Sequence, residues 1–310
     1  MPLLSLSLTA ALAVAAQAGP APSQAFDETL VLGAGRAAVE QALEPRCDSL
    51  QAVSPPTAGF PLAREEETHL VCTGFTFDSG ARLDAAVFTL ADGALVQIEA
   101  RGDTAPLTEH AGDSVTFQDW TAYPAAGLML DSAAGTAHIL SADGLHTNLF
   151  AWHNPLLDGE PLDYPPLDVS IPPEVRPGAS LETLMPEIEA ACPVVQVREI
   201  DPPSLPTEPA TQTQINCFGY PVAGFERKIE FVFGDDQLVL AWILTGRGES
   251  GRLQAAMDAA YGTPVYAGDT FRFYEEGRIA LRFDRPEILV VEQSLGASYI
   301  DQLNGAETAD

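Results

Sequence analysis

The sequence predicts an α+β fold built from two tandem copies, each with an antiparallel sheet meander, helices on one face and one internal disulfide. The first observation is a repeated cysteine spacing, because Cys47 and Cys72 are 25 residues apart and so are Cys192 and Cys217. The second is a matched run at the second cysteine of each pair, Cys-Thr-Gly-Phe in one half and Cys-Phe-Gly-Tyr in the other. The third is that segments with helix and strand patterns follow the same order in both halves.

The first copy begins with a helix. Apolar residues recur at helical spacing between Gly35 and Leu43, and Pro45 predicts the end of the helix. Strands are predicted over residues 70–77, 83–90, 94–100, 128–130, 136–140 and 147–152. Asp-Gly pairs at residues 92–93 and 143–144 are typical of tight hairpin turns between such strands.

The second copy repeats this order. We expect helices over residues 180–191 and 253–261, the latter capped by Gly262, and a hairpin turn at Asp235-Asp236. Strands are predicted through Cys217 and over residues 228–233, 237–244, 270–274, 279–283 and 287–292. Each copy therefore reads as helix, three strands, helix, three strands.

Aromatic residues on the predicted strands are expected to form the sheet core. They are Phe75, Tyr220, Phe231, Phe233, Trp242, Phe271, Phe273 and Tyr274. The period of a strand places Phe271 and Phe273 on one face and Tyr274 on the other.

The predicted domain organisation has five parts. They are a signal peptide over 1–18, a first repeat over 27–153, an acidic proline-rich linker over 154–178, a second repeat over 179–303 and a tail over 304–310. The first segment is apolar and ends in Ala16-Gln17-Ala18, which suits a signal peptidase. A membrane anchor is the alternative, but the segment is shorter than the roughly 20 residues that a spanning helix needs.

The charge balance limits the partners of the chain. Its net charge is −29, from 44 acidic and 15 basic residues, while 46% of its residues are hydrophobic. This composition is typical of a folded protein with an anionic surface. It disfavours nucleic acid, which requires clustered basic residues. The negative charge either keeps the protein soluble or attracts a cationic partner. Such a partner would be an unidentified protein or small molecule. We expect an exported, soluble protein, periplasmic or secreted, with no membrane insertion after signal cleavage.

Export predicts that the four cysteines form disulfides, because thiols pair in an oxidising compartment. Four cysteines allow three connectivities, and the equal spacing favours Cys47 with Cys72 and Cys192 with Cys217. The alternative is a four-cysteine metal site, which lacks the close C-x-x-C spacing of structural zinc. We therefore expect no metal and no cofactor.

One segment has the form of a dinucleotide-binding motif. Residues 246–251 read G-x-G-x-x-G, and Asp269 is placed where a ribose ligand would be. The preceding strand lies in a predicted antiparallel hairpin, however, and the first copy has the similar run Arg101-Gly102-Asp103 at its corresponding junction. Both runs are therefore interpreted as structural turns. Arg101-Gly102-Asp103 has the sequence of an integrin-binding tripeptide, and this interpretation gives it no such role.

Catalytic candidates are weak. All five histidines, His69, His110, His138, His146 and His153, fall in the first copy, without the spacing of a metal pair, and we expect ordinary surface residues. The run Glu65-Glu66-Glu67 is expected to be a solvated loop. The sequence contains no serine elbow and no calcium-binding loop, so no catalytic residue is predicted.

The predicted binding surface consists of two proline-bearing loops, over residues 48–71 and 193–216. Their candidate residues are Pro55, Pro56, Pro61, Pro202, Pro203 and Pro206. A loop stiffened by proline and closed by a disulfide loses little entropy on binding. We expect a non-catalytic binding or interaction module of the cell envelope or extracellular space. The alternative is a hydrolase acting on an envelope or extracellular polymer.

Overall fold

The computed structural model describes Phe26 and residues 29–109 and 111–307. The predicted signal peptide lies outside the described residues. The described chain forms two eight-stranded antiparallel sheets, one in each half. The predicted duplication and the α+β class are therefore confirmed.

Within its described residues, the first repeat contains three α-helices around its sheet. Its elements are α1 (Arg36–Leu43), β1 (Ser49–Val53), β2 (Glu67–Thr73), β3 (Leu83–Ala91), β4 (Ala94–Gly102), α2 (Ala105–Thr108), β5 (Val115–Phe117), β6 (Trp120–Tyr123), β7 (Leu128–Asp131), β8 (Thr136–Leu140) and α3 (Ala142–Thr147). The strand order is β1-β2-β3-β4-β8-β7-β6-β5, so two four-stranded meanders join where β4 pairs with β8.

The second repeat has the same topology. Its elements are α4 (Leu181–Ala191), β9 (Val194–Glu199), β10 (Gln212–Val222), β11 (Phe225–Gly234), β12 (Gln237–Leu244), α5 (Ser250–Tyr261), β13 (Tyr266–Ala267), β14 (Phe271–Tyr274), β15 (Ile279–Arg282), β16 (Glu287–Val291) and α6 (Gln293–Glu307). Strand β12 pairs with β16, as β4 pairs with β8. Helix α6 continues beyond residue 303, where we expected the repeat to end.

Each sheet has more strands than predicted. The edge strands β1, β5, β9 and β13 were missed, as was β6. The predicted strand over residues 147–152 is wrong, because α3 and a 3₁₀ helix (Leu149–Ala151) occupy this region. The hydroxyl of Ser141 accepts a hydrogen bond from the Gly144 amide (3.1 Å), so the second Asp-Gly pair begins a helix instead of forming a turn. The three strands that match β14–β16 are β6–β8.

Both disulfides form as predicted, Cys47 with Cys72 and Cys192 with Cys217. Each ties the segment that follows the first helix of its repeat to the second strand of the sheet. The hairpin turns at residues 92–93 and 235–236 are also confirmed, with positive φ at all four residues. These local features depend on short segments of sequence, which explains why they could be predicted.

In each repeat one face of the sheet packs against the first helix, and in the second repeat the other face packs against α6. Val39 and Leu43 of α1 pack with Leu70 and Phe88 in the first repeat. In the second repeat, the predicted split of the aromatic residues is confirmed, because Tyr274 joins the main core and Phe273 packs on the other face, against α6. Among the aromatic residues predicted for the core, Tyr220, Trp242 and Phe271 are only half-buried.

The repeats pack directly on each other. The Arg252 guanidinium of α5 donates hydrogen bonds to three carbonyl oxygens of the first repeat, those of Gly59 (3.0 Å), Phe60 (2.7 Å) and Ala63 (2.7 Å). The Thr147 hydroxyl approaches the carbonyl oxygen of Thr245 at 3.5 Å. Among the helices of the described chain, none is long and apolar enough to cross a membrane.

Candidate functional site

A groove of about 580 Å³ lies where the linker crosses from the first repeat to the second. One wall is the linker, which has a 3₁₀ helix (Pro155–Asp158) and then runs without helix or strand to α4. The other wall is the turn between β10 and β11, at Ala223-Gly224. The linker is held in place because Leu167, Val169 and Ile171 pack against the core of the second repeat. The groove is therefore bounded by a fixed segment.

Three aromatic rings from three segments meet at the groove. Trp152 follows α3, Tyr164 belongs to the linker, and Phe225 begins β11. The ring centroid of Trp152 lies 5.0 Å from that of Phe225 and 6.5 Å from that of Tyr164. Tyr220 and prolines of the linker, including Pro165 and Pro166, extend this apolar lining. Such a surface suits apolar and aromatic ligand groups.

His153 lies at one end of the groove with both ring nitrogens bonded to carboxylates. Nδ1 is 2.6 Å from Oε1 of Glu99, and Nε2 is 2.6 Å from Oδ2 of Asp158. The hydrogen bond to Glu99 and the charges of both carboxylates raise the pKa of His153 to about 9. The imidazolium is therefore protonated at neutral pH, and two carboxylates compensate its charge.

The remaining charges of the groove are acidic. Asp163, Asp168 and Glu226 all line it and are exposed. The Ser170 hydroxyl (2.6 Å) and amide (2.9 Å) donate to Asp168, and these hydrogen bonds lower the pKa of that carboxyl. The groove thus combines apolar walls with a negatively charged rim.

Beneath the groove lies a buried polar cluster around Glu67. Its Oε2 accepts hydrogen bonds from the amides of Gly59 and Phe60 (both 2.8 Å). Its Oε1 accepts from the Tyr164 hydroxyl (2.7 Å) and lies 2.6 Å from Nε2 of His69. Burial raises the pKa of Glu67, but the hydrogen bonds from His69, Phe60 and Tyr164 outweigh it and lower the pKa overall. The expectation that Glu67 belongs to a solvated loop is wrong.

The second repeat shows what this carboxylate does. Gln212 occupies the corresponding place at the start of β10, and its Oε1 accepts from the amides of Ser204 (2.7 Å) and Leu205 (3.1 Å). A neutral amide thus holds the equivalent loop. Glu67 is a loop anchor that also fixes the linker through Tyr164.

The histidines are less exposed than expected. His69 and His138 are buried in the sheet, which corrects the interpretation of all five as surface residues. His146 contacts the carbonyl oxygen of Pro286 in the second repeat at 3.1 Å. His110 lies outside the described residues. The sequence signal that could have revealed the buried cluster is the spacing of Glu67 and His69, which places both on one face of a strand.

The predicted binding loops differ in their surroundings. Pro61 is buried between the repeats, Pro55 is half-buried and Pro56 is exposed. In the second loop, Pro202 and Pro206 are exposed and Pro203 is half-buried. Residues 59–63 of the first loop therefore pack between the repeats, whereas Pro202 and Pro206 of the second loop lie on the surface. Recognition by these loops stays a prediction.

The G-x-G-x-x-G segment also serves packing between the repeats. A Cβ atom at Gly246 would lie 2.2 Å from the Pro61 carbonyl oxygen, and one at Gly248 would lie 2.2 Å from the Leu62 carbonyl carbon. The backbone of the first repeat thus lies directly against these glycines. Strand β12 is antiparallel to both neighbours, β11 and β16, so no parallel β-α-β unit is present there.

Glu249, within the same segment, anchors this junction. It accepts from the Gly246 amide (2.7 Å) and forms a bidentate ion pair with the buried Arg227 (2.6 and 2.8 Å). The segment is therefore a structural junction, as interpreted from the sequence.

Within the described residues, no group of three or more histidine, cysteine, aspartate or glutamate side chains is arranged to hold a metal ion. Comparison with protein-family models, curated proteins and solved structures finds no match to this chain.

Proposed function

We propose that the protein is a non-catalytic binding protein of the cell envelope or extracellular space, and that the groove between its repeats binds a basic peptide segment. The observation that carries the proposal is the combination of aromatic and proline walls with an acidic rim. The two disulfides support a protein that works in an oxidising compartment outside the cytoplasm.

The size and position of the groove support ligand binding. Ligand sites have volumes of roughly 300–1,000 Å³ and often lie between structural units. The groove, at about 580 Å³, falls within this range. Because Glu67 and the second core hold the linker, the site is preformed and little entropy is lost on binding.

The charge supports a cationic ligand. The protein carries a net charge of −29, which attracts cations over long distances at low salt. Asp163, Asp168 and Glu226 then offer carboxylates at the rim. Anionic ligands would meet repulsion from both sources.

His153 supports binding over the hydrolase alternative. A general base needs a free ring nitrogen directed at the substrate. Both ring nitrogens of His153 are bonded to carboxylates, and the ring is charged at neutral pH. The residue therefore fixes the 3₁₀ helix of the linker to β4.

The test is fluorescence polarisation with a labelled peptide of alternating lysine and tyrosine, compared with one in which glutamate replaces lysine. We expect the basic peptide alone to bind. The double substitution Asp163→Asn, Glu226→Gln should weaken its binding about fivefold at low salt, because exposed ion pairs contribute about 0.2–1 kcal/mol each.

The matched control is Asp236→Asn, an exposed acid in the turn at the opposite end of β11. This variant loses charge away from the groove and should bind like the unmodified protein. Equal binding of the two peptides, or equal losses in the groove and control variants, would show that the groove does not recognise cations.

A further inference from the structure

A second cavity, of about 170 Å³, lies in the second repeat between its sheet and helix α6. The buried side chains of Phe273 and Leu289 line its sheet side. Trp242 and Phe271, both half-buried, also line it from β12 and β14. The cavity is therefore mainly aromatic and partly open to solvent.

Helix α6 supplies the remaining lining. Tyr299 and Leu303 are half-buried and pack against the same cluster as Phe273, and Gln302 is exposed at the cavity. Tyr299 and Gln302 bring a hydroxyl and an amide, which are the polar groups of α6 at this place. A ligand held here would be covered by α6 on one side and by the sheet on the other.

One charged side chain, Arg282, lines the cavity. Its guanidinium carbon lies 5.4 Å from the ring centroid of Phe271 and 5.8 Å from that of Trp242. Three N–H groups donate to acidic side chains, two to Asp284 (2.8 and 3.0 Å) and one to Glu287 (3.3 Å). A guanidinium has five such groups, so it retains donors for a ligand while its charge is compensated.

We propose that this cavity binds a small uncharged aromatic molecule with one ring and one hydroxyl or ring N–H group, such as a phenol or an indole. Its volume is close to that of the roughly 150 Å³ cavities that hold benzene in proteins. Aromatic walls favour a ring over an alkyl chain through offset or edge-to-face contacts. This inference is independent of the function proposed for the groove.

The charges around the cavity disfavour both cationic and anionic ligands. A cation would be repelled by Arg282, whose guanidinium already lies close to both the Trp242 and the Phe271 ring. An anion would find the Arg282 charge compensated by Asp284, on a protein with a net charge of −29. An uncharged ring can use the remaining donors without either cost.

The experiment is ¹⁹F NMR of 4-fluorophenol titrated with the full chain, with 4-fluorobenzoate as the anionic counterpart. We expect 4-fluorophenol to bind in the millimolar range, as suits a ligand with few atoms, and 4-fluorobenzoate to bind at least about tenfold more weakly. No detectable binding of 4-fluorophenol at about 10 mM, or equal binding of both probes, would overturn the proposal.

Two variants locate the site. Leu303→Trp fills the cavity from α6 and should weaken 4-fluorophenol binding by about tenfold or more. Trp242→Leu removes an aromatic wall and should also weaken binding, so the test does not depend on one variant folding. Asp301→Asn, at an exposed position of α6, is the control and should leave binding unchanged.

Folding of each variant is checked by its urea midpoint. Unchanged binding in a folded Leu303→Trp or Trp242→Leu variant would overturn the placement of the site. The variant with Asp163→Asn and Glu226→Gln should bind 4-fluorophenol normally, which separates this result from that of the groove. Loss of 4-fluorophenol binding in that variant would overturn the cavity as the site.

Discussion

His153 determines how the linker is attached to the first repeat. Its imidazolium bridges Glu99 of β4 and Asp158 of the 3₁₀ helix, and Arg101 pairs with the same Asp158. The chain thus fixes the start of the linker with two ion pairs at one carboxylate. These contacts hold one end of the groove.

The charge of His153 predicts a pH-dependent stability. Its pKa is about 9 in the folded protein and about 6.5 in the unfolded chain. A raised pKa stabilises the fold fully below about pH 6.5, and this contribution is lost as the pH rises through about 9. Because the side chain is 44% exposed, we expect the contribution to be about 1 kcal/mol.

We therefore expect His153→Gln to lower the free energy of unfolding by about 1 kcal/mol at pH 6 and by almost nothing at pH 10. Urea denaturation at pH 6, 8 and 10 measures the difference. His146→Gln is the control, because burial lowers the pKa of His146, and a histidine with a lowered pKa contributes no stability that is lost as the pH rises. A His153→Gln difference that is constant with pH would contradict the assignment.

The glycines at the junction of β12 and α5 can be explained by what lies against each of them. Gly246 and Gly248 are glycines because the loop of residues 60–63 lies against their backbone. Gly251, in the first turn of α5, has no atom within 4 Å of the place where its Cβ would be. The three glycines of the motif therefore have different roles.

This difference gives a paired prediction. Gly248→Ala should reduce the free energy of unfolding by about 2 kcal/mol, because its Cβ forces the two repeats apart. Gly251→Ala should raise it by about 0.5 kcal/mol, because alanine favours a helix. Urea denaturation compares them. Equal effects of the two substitutions would show that the motif does not form the inter-repeat contact.

The whole molecule behaves as two copies joined along one interface. At α5 the two repeats are joined by Arg252, whose guanidinium donates hydrogen bonds to the carbonyl oxygens of Gly59, Phe60 and Ala63. The loop that receives these bonds is itself anchored by Glu67, which also binds the linker residue Tyr164. The interface and the groove therefore share one set of contacts.

We expect the unmodified protein to unfold in a single calorimetric transition and Arg252→Ala to separate it into two. Removing three hydrogen bonds to buried or half-buried carbonyl groups weakens the interface by about 2–4 kcal/mol while leaving each core intact. Arg278→Ala, which removes an exposed arginine paired locally with Glu275, is the control and should keep one transition. A single transition in Arg252→Ala would contradict the role of this contact.

The duplication, both disulfides and the hairpin turns at residues 92–93 and 235–236 could be predicted from the amino-acid sequence. These features follow from spacing and local backbone preferences, which need no distant partner. Residues 147–152 were assigned wrongly, because a short apolar run fits a strand or a helix equally well, and here Asn148 ends α3 in the left-handed conformation and a 3₁₀ helix follows.

The groove and the burial of Glu67 could not be predicted in this way, because both depend on contacts between segments far apart in the chain. A run of three glutamates reads as solvated, yet Glu67 meets Tyr164, which is 97 residues away in the chain. Trp152, Tyr164 and Phe225 likewise come together only because the two repeats pack on each other and the linker contacts both. Contacts between segments this distant depend on how the repeats pack, and spacing along the chain carries no record of that packing.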